Sequence, residues 1–250
     1  MKKIVFPLIL LWTAAACSAH VKCDPSNAAD CLKVLFIGNS YTYENDLPTV
    51  LSMLAKSGGH ALETGLLAAG GRTLMDHLHD PQTLERIQGD DWTYVVLQEQ
   101  SEIPAVESSR TASMYPAVRE LAAMIRRNRA VPLLLETWGH RDGAEEFGIA
   151  DYPTMQNDLA VGYGTIAREL NLAVIPVGSA WQAARERHPE IELWQSDGSH
   201  PNRNGTYLAA CVLYAVLYRQ SPAGLSYTFQ IPPQTAGLLQ EAARETVFGG

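Results

Sequence analysis

The sequence is short of cysteine, of positive charge and of long apolar runs. Four cysteines in 250 residues are too few for a disulfide scaffold, and none falls in a paired Cys-x-x-Cys zinc pattern. Nineteen Lys and Arg stand against 27 Asp and Glu, a net charge of −8. A nucleic-acid binder needs clustered cations against the phosphate backbone, so nucleic acid is excluded as the main partner. A small anionic substrate is not excluded, since one Arg can serve it. Past the first residues no apolar stretch reaches the ~18 residues of a membrane helix, so no transmembrane span is expected. The chain also lacks a Gly-x-x-x-x-Gly-Lys loop, an internal repeat, a low-complexity tract and a Pro/Gly/Ser linker. With 46% hydrophobic and 18% charged residues, it has an ordinary globular composition and enough length to bury a core. One domain is expected, over residues 33–250.

The first residues read as a targeting signal. Lys2 and Lys3 precede an apolar run, Ile4 to Trp12, and small residues lead to Cys17. The run is too short to span a bilayer but suits the core of a secretory signal over residues 1–16. Two readings stand at Cys17. Ala14-Ala15-Ala16 fits simple cleavage before residue 17. The same stretch resembles a bacterial lipobox without its usual Leu, which would put a lipid anchor on Cys17. Either way an exported protein is expected, periplasmic or secreted. Residues 17–32 form an N-terminal segment. In an oxidising compartment Cys23 and Cys31, which flank a turn-rich loop, are expected to pair, and Cys211 to be a buried core thiol.

The rest of the chain alternates strand and helix signals. Apolar runs at Lys33–Gly38, Ala61–Leu67, Thr93–Leu97, Val131–Thr137 and Leu172–Val177 read as five strands. The second is the weakest, because Glu63, Thr64 and Gly65 interrupt it. Helical patterns cover Leu47–Lys56, Thr73–Gln88 (with Pro81 opening a second piece), Ser108–Arg127 (with Pro116 as a kink), Pro153–Leu170, Ala180–Arg187, Asn204–Arg219 and Pro233–Thr246. Strands alternating with helices imply a parallel sheet covered on both faces. With right-handed crossovers that is a three-layer α/β/α sandwich on a five-stranded parallel sheet.

Ligands in such sheets bind beyond the carboxyl ends of the strands. Ser40 directly follows the first strand. A Ser hydroxyl needs a base to remove its proton. His200 is a suitable base, and Asp197, three residues before it, can hold its other ring nitrogen. Trp138 and His140, after the fourth strand, are candidates for substrate contact. Asp76-His77-Leu78-His79-Asp80 has the letters of a metal site. Positions two apart do not share a helix face, so a solvated helix and no metal are expected there. Gly162-Tyr163-Gly164 lies inside a helix pattern and follows no strand, so it is no dinucleotide loop.

Val34-Leu-Phe-Ile-Gly-Asn-Ser-Tyr-Thr42 resembles the first block of the SGNH/GDSL hydrolases, with Gly-Asn-Ser for Gly-Asp-Ser. Asp197-Gly-Ser-His200 before Pro201 resembles their final Asp-x-x-His block. Gly71-Arg72-Thr73 resembles the second block. Gln98-Glu99-Gln100 stands where Gly-x-Asn-Asp is expected, with Gln100 in place of the Asn donor. The resemblance implies a flavodoxin-like fold and ester or acyl hydrolysis without a cofactor. It makes Ser40 the nucleophile, His200 the base and Asp197 its orienting partner. The backbone amides of Ser40 and Gly71, with the Gln100 side chain, become the oxyanion hole. The expected substrate is a small acyl ester, O-acetyl groups on a glycan included. Two alternatives remain: a catalytically silent binding protein on the same fold, motivated by the altered third block, and an acyltransferase using the same triad.

Overall fold

The computed structural model describes Cys23 and residues 31–249. The export signal expected over residues 1–16 and the two readings of Cys17, simple cleavage or a lipid anchor, lie outside the described residues.

The chain runs β1 (Cys31–Gly38), α1 (Ser40–Tyr43), α2 (Leu47–Ser57), β2 (Ala61–Ala68), α3 (Leu74–Leu78), α4 (Pro81–Gly89), β3 (Tyr94–Leu97), α5 (Glu107–Ser109), α6 (Tyr115–Arg127), β4 (Val131–Leu135), α7 (Tyr152–Leu170), β5 (Ala173–Ile175), α8 (Val177–Arg187), α9 (Arg203–Tyr218) and α10 (Pro233–Phe248). All five strands are parallel, in the order β2-β1-β3-β4-β5. Parallel neighbours need a crossover, and helices supply it.

The period-2 alternation of the strands sorts the core into two layers. Val34, Phe36, Val96, Leu133 and Leu135 pack with α2, α8, α9 and α10. Leu35, Ile37, Val95, Leu97 and Leu134 pack with α3, α4, α6 and α7. These strand residues are at most 3% exposed, so each contributes roughly 1.5–3 kcal/mol of burial. The result is the expected three-layer sandwich.

Strand β2 holds despite its polar letters because it is an edge strand, paired only with β1. Glu63 and Thr64 are half-buried there, and Glu63 accepts the Cys23 N–H at 3.0 Å. The kink expected at Pro116 takes another form. A π-helical turn, Arg110–Met114, precedes α6, and the Tyr115 N–H reaches the Arg110 carbonyl. Pro116 has no N–H to continue the normal ladder, and a wider turn absorbs that loss. Cys23 and Cys31 form the expected disulfide. Cys211, on α9, is free and buried, and burial pushes its thiol far up from the ordinary range.

Register then places the loops. Gly38 pairs with Ala68 and Ile37 with Leu97, so the segments that begin at Asn39, Ala69 and Gln98 leave one edge of the sheet together. The chain switches sides between β1 and β3, which opens a crevice at that edge.

Candidate active site

Ser40 is the first residue of α1, and its position is fixed by Asn39 and Gln98. The Asn39 side chain caps the turn, its Oδ1 accepting the Tyr41 N–H at 3.1 Å. Gln98 is 1% exposed. Its Oε1 accepts the Asn39 N–H at 3.0 Å and the Thr42 hydroxyl at 2.9 Å. Its Nε2 donates to Asn39 Oδ1 at 3.0 Å. Gly38 is required by this approach. A Cβ there would lie 2.5 Å from Gln98 Oε1 and 2.7 Å from Thr42 Oγ1.

Ser40, His200 and Asp197 come together there. His200 Nε2 lies 2.9 Å from Ser40 Oγ, and His200 Nδ1 lies 2.6 Å from Asp197 Oδ2. A carboxylate only accepts, so Nδ1 carries the hydrogen and Nε2 presents a lone pair to the Ser40 hydroxyl. Asp197 Oδ1 also accepts the N–H groups of Ser199 and His200, both at 3.0 Å. Burial pushes the Asp197 carboxyl up. The hydrogen bonds from Ser199 and His200 outweigh that and hold it below its ordinary value. The base is thus backed by an anion at neutral pH.

Aromatic side chains hold this loop from the core. Tyr41 meets His200 edge-on at 5.7 Å and stacks on Trp138 at 4.5 Å, and Trp138 stacks on Trp181 at 4.2 Å. Trp138 Nε1 donates to the Ser199 carbonyl at 3.0 Å, and the Tyr41 and Ser199 hydroxyls are 2.7 Å apart. This corrects the expectation for Trp138. It is 1% exposed, with Tyr41 on one side and Trp181 on the other, so it supports the loop and offers substrate no surface. His140 also does not line the cleft. It is packed beside Glu102, with its Nε2 3.6 Å from Glu102 Oε1, and burial pushes its pKa down.

The cleft over Ser40 has a volume of about 400 Å³. Gly70, Gly71, Tyr43, Gln100, Ser101, Glu102 and Ser199 line it with the Asn39–Tyr41 turn and His200. No aliphatic side chain is among them. The N–H groups of Ser40 and Gly71 find no acceptor among the described residues. Gly71 has φ +68, a left-handed conformation that favours glycine. Gln100 lines the cleft but is turned to its own loop. Its Oε1 accepts the N–H groups of Glu102 at 3.0 Å and Ile103 at 3.2 Å, and its Nε2 donates to the Glu102 carboxylate and to Ser101 Oγ. A second cleft, of about 450 Å³, is lined by Arg141, Tyr152, Arg185 and Trp194 among others and contains none of the triad.

The letters of a metal site resolve otherwise. No cluster of metal-ligating side chains occurs among the described residues. The solvated helix expected there is corrected at His77, which is fully buried, bonded to Gly38 and beside Thr83. Gly162 and Gly164 lie within α7, as expected.

Solved structures share this architecture. A protein of the DUF4886 family from Bacteroides uniformis superposes with a TM-score of 0.76 at 22% identity, covering 87% of this chain and 95% of that one. A chain assigned as an SGNH hydrolase, from Slackia heliotrinireducens, matches with a TM-score of 0.65 at 27% identity, over 75% of this chain and 99% of that one. The chain has the fold of the SGNH/GDSL hydrolases. An acetyl xylan esterase shares the fold more distantly, with a TM-score of 0.60 at 16% identity, over 74% of this chain and all of that one. No family model and no curated protein matches the sequence. Sequence reasoning quoted Tyr41 and Gln98 within their blocks without foreseeing their packing around Ser40, and it did not single out Glu102. Tyr41 and Gln98 carried a signal, since one follows the nucleophile and the other ends the third strand. Glu102 carried only its place two residues past Gln100.

Glu99 is the third-block residue with the strongest perturbation. It is fully buried. Oε1 accepts the N–H groups of Leu74 at 3.0 Å and Gln100 at 2.7 Å, while Oε2 has no partner among the described residues. Burial pushes its pKa from 4.5 to about 7 against those two hydrogen bonds. The folded state therefore binds the proton more tightly than the unfolded state. Stability is full below the unfolded pKa of 4.5 and falls as pH rises to about 7, by about 3 kcal/mol. Glu99→Gln is expected to remove that slope. Thermal unfolding from pH 4 to 8 should show the variant gaining on the wild type as pH rises. Parallel curves would refute it.

Proposed function

We propose that this chain is an exported serine esterase that removes short acyl groups, O-acetyl included, from polar alcohols such as glycans. The observation that carries the reading is the continuous Asp197–His200–Ser40 relay at the floor of a polar cleft. The fold shared with SGNH/GDSL hydrolases supports it, and the acetyl xylan esterase among the structural neighbours supports the acyl class. No helix among the described residues is long and apolar enough to cross a membrane.

Ser40 Oγ attacks the ester carbonyl while His200 Nε2 takes its proton. Negative charge collects on the carbonyl oxygen and meets the N–H groups of Ser40 and Gly71. Each such donor is worth about 2.7–4 kcal/mol in the transition state. His200, now an imidazolium stabilised by Asp197, gives the proton to the departing alcohol. Water then repeats the sequence on the acyl-enzyme and frees the acid. A lining without aliphatic side chains offers a long acyl chain nothing to bury against, so short acyl groups are preferred.

A series of p-nitrophenyl esters tests this. Acetate is expected to turn over fastest, with kcat/KM at least about tenfold lower for octanoate, a difference of roughly 1.4 kcal/mol in transition-state stabilisation. Failure to hydrolyse any member would overturn the esterase reading, and a preference for octanoate would overturn the short-acyl part.

Gln100 as a third oxyanion donor requires its amide to leave Glu102 and Ser101. We assign it to loop capping, with two backbone donors in the hole. Gln100→Ala is then expected to keep kcat within about threefold, against a loss of about 10²–10³ for a true donor. Steady-state kinetics on p-nitrophenyl acetate separates the two.

A further inference from the structure

His77 is a buried histidine that the proposed reaction does not use. It sits in α3 with no exposure, and each ring nitrogen has a polar neighbour. Nε2 lies 2.8 Å from the Gly38 carbonyl oxygen and Nδ1 lies 3.1 Å from Thr83 Oγ1. A carbonyl only accepts, so Nε2 carries a hydrogen and donates it. Burial holds the imidazole below its ordinary pKa. The ring is therefore neutral at pH 7, and Nδ1 rests beside the Thr83 hydroxyl, whose single hydrogen goes to Asp80 Oδ2.

The contacts continue into a closed ring. Thr83 Oγ1 is 2.9 Å from Asp80 Oδ2. Asp80 pairs with Arg72 at 3.0 Å. The Arg72 carbonyl accepts from Asn39 Nδ2 at 3.0 Å. Asn39 is bonded through the chain to Gly38, where the ring closes. Gly38 and Asn39 are the two residues before Ser40, and Arg72 is the residue after Gly71. The ring thus ties the turn that carries the nucleophile and one oxyanion N–H to the loop that carries the other. These two segments come from different strand ends, and the sheet ladder stops at Gly38 and Ala68. Beyond that point side-chain contacts must hold them in register.

We infer that His77 is a positioning residue, which sets the spacing of the Ser40 and Gly71 N–H groups through its hydrogen bond to the Gly38 carbonyl. The inference rests on the serine-esterase reading and goes beyond it to a residue that touches no substrate. Misplacing reacting groups by about 1 Å costs about 10²-fold in rate. Phe at position 77 keeps the buried volume and removes the donor. Gln keeps an N–H near the Nε2 position.

The test measures both variants in three ways. Kinetics on p-nitrophenyl acetate, with active sites counted by fluorophosphonate titration, should show kcat of His77→Phe lowered about 10²-fold with KM within about threefold. Affinity for a trifluoromethyl ketone, whose Ser adduct places an oxyanion in the hole, should fall by a similar factor. His77→Gln should recover most of both losses. Hydrogen exchange should quicken at 38–42 and 69–73 in His77→Phe and stay near wild type in His77→Gln. A His77→Phe enzyme within about threefold of wild-type kcat, a loss seen in KM instead, or a Gln variant no better than Phe would overturn the inference. If the wild type neither hydrolyses esters nor reacts with the fluorophosphonate, the esterase reading fails. Exchange then still decides whether His77 holds the turn, and unchanged exchange in His77→Phe overturns that too.

Discussion

Replacing Ser40 with alanine is expected to lower ester turnover by about 10⁴–10⁶-fold, to the level left by the oxyanion donors and binding alone. The size follows from the mechanism, since the relay has no other nucleophile to offer. Among the described residues Ser40 Oγ is the hydroxyl bonded to His200 Nε2, at 2.9 Å. Tyr41 and Ser199 present hydroxyls nearby, but these bond to each other at 2.7 Å, and burial pushes the Tyr41 phenol up, away from ionisation. The loss should fall on kcat, because Ser40 acts on the reacting carbon. Intact-mass spectra after fluorophosphonate treatment should show one adduct on the wild type and none on Ser40→Ala. His200→Ala should also remain unlabelled, because the hydroxyl is then left without its base. A wild type that stays unmodified where a control esterase reacts would sink the catalytic reading and leave the binding protein standing.

Asp197→Asn is expected to cost about 10⁴-fold in kcat while leaving the fold intact. The asparagine carbonyl can still accept the N–H groups of Ser199 and His200, which Asp197 now accepts at 3.0 Å. Its amide nitrogen then faces His200 Nδ1. Two donors cannot face each other, so Nδ1 becomes the acceptor and the ring hydrogen moves to Nε2. A protonated Nε2 cannot accept from Ser40. The anion that stabilises the imidazolium is also gone. Fluorophosphonate labelling should slow in parallel with turnover, while the melting temperature changes little, since Asp197 sits in an exposed loop. A variant that keeps more than about a tenth of wild-type kcat would show that His200 works without its carboxylate, a dyad in place of the triad.

Some of the site could be read without coordinates. Ser40 stands directly after an apolar strand, and Asp197 with His200 stands before the last helix-rich stretch. Those positions are set by local pattern and by the rule that parallel sheets gather chemistry at one edge. Gln100 and Trp138 could not be assigned in that way. An amide at the right loop position is a donor only if its hydrogens are free, and those of Gln100 go to Glu102 and Ser101. A tryptophan after a strand is a ligand platform only if a face is open, and both faces of Trp138 are stacked. His77 misled for a related reason. Its neighbours Asp76 and His79 are exposed, and only the packing of α3 against the sheet shows that one letter of that polar run points inward.

The sequence alone determined the number of strands, their alternation with helices and the parallel sheet, because hydrophobic period and chain connectivity are local properties. It also made Ser40, His200 and Asp197 the candidates for nucleophile, base and carboxylate, since only a few residue types can do that work. The tertiary structure alone decided which groups are free to act. Hydrogen-bond donors are spent or spare according to what packs beside them. Segments distant in the chain, such as Gly38 with His77 and Asn39 with Arg72, come within 3 Å only when the sheet brings the strand ends together.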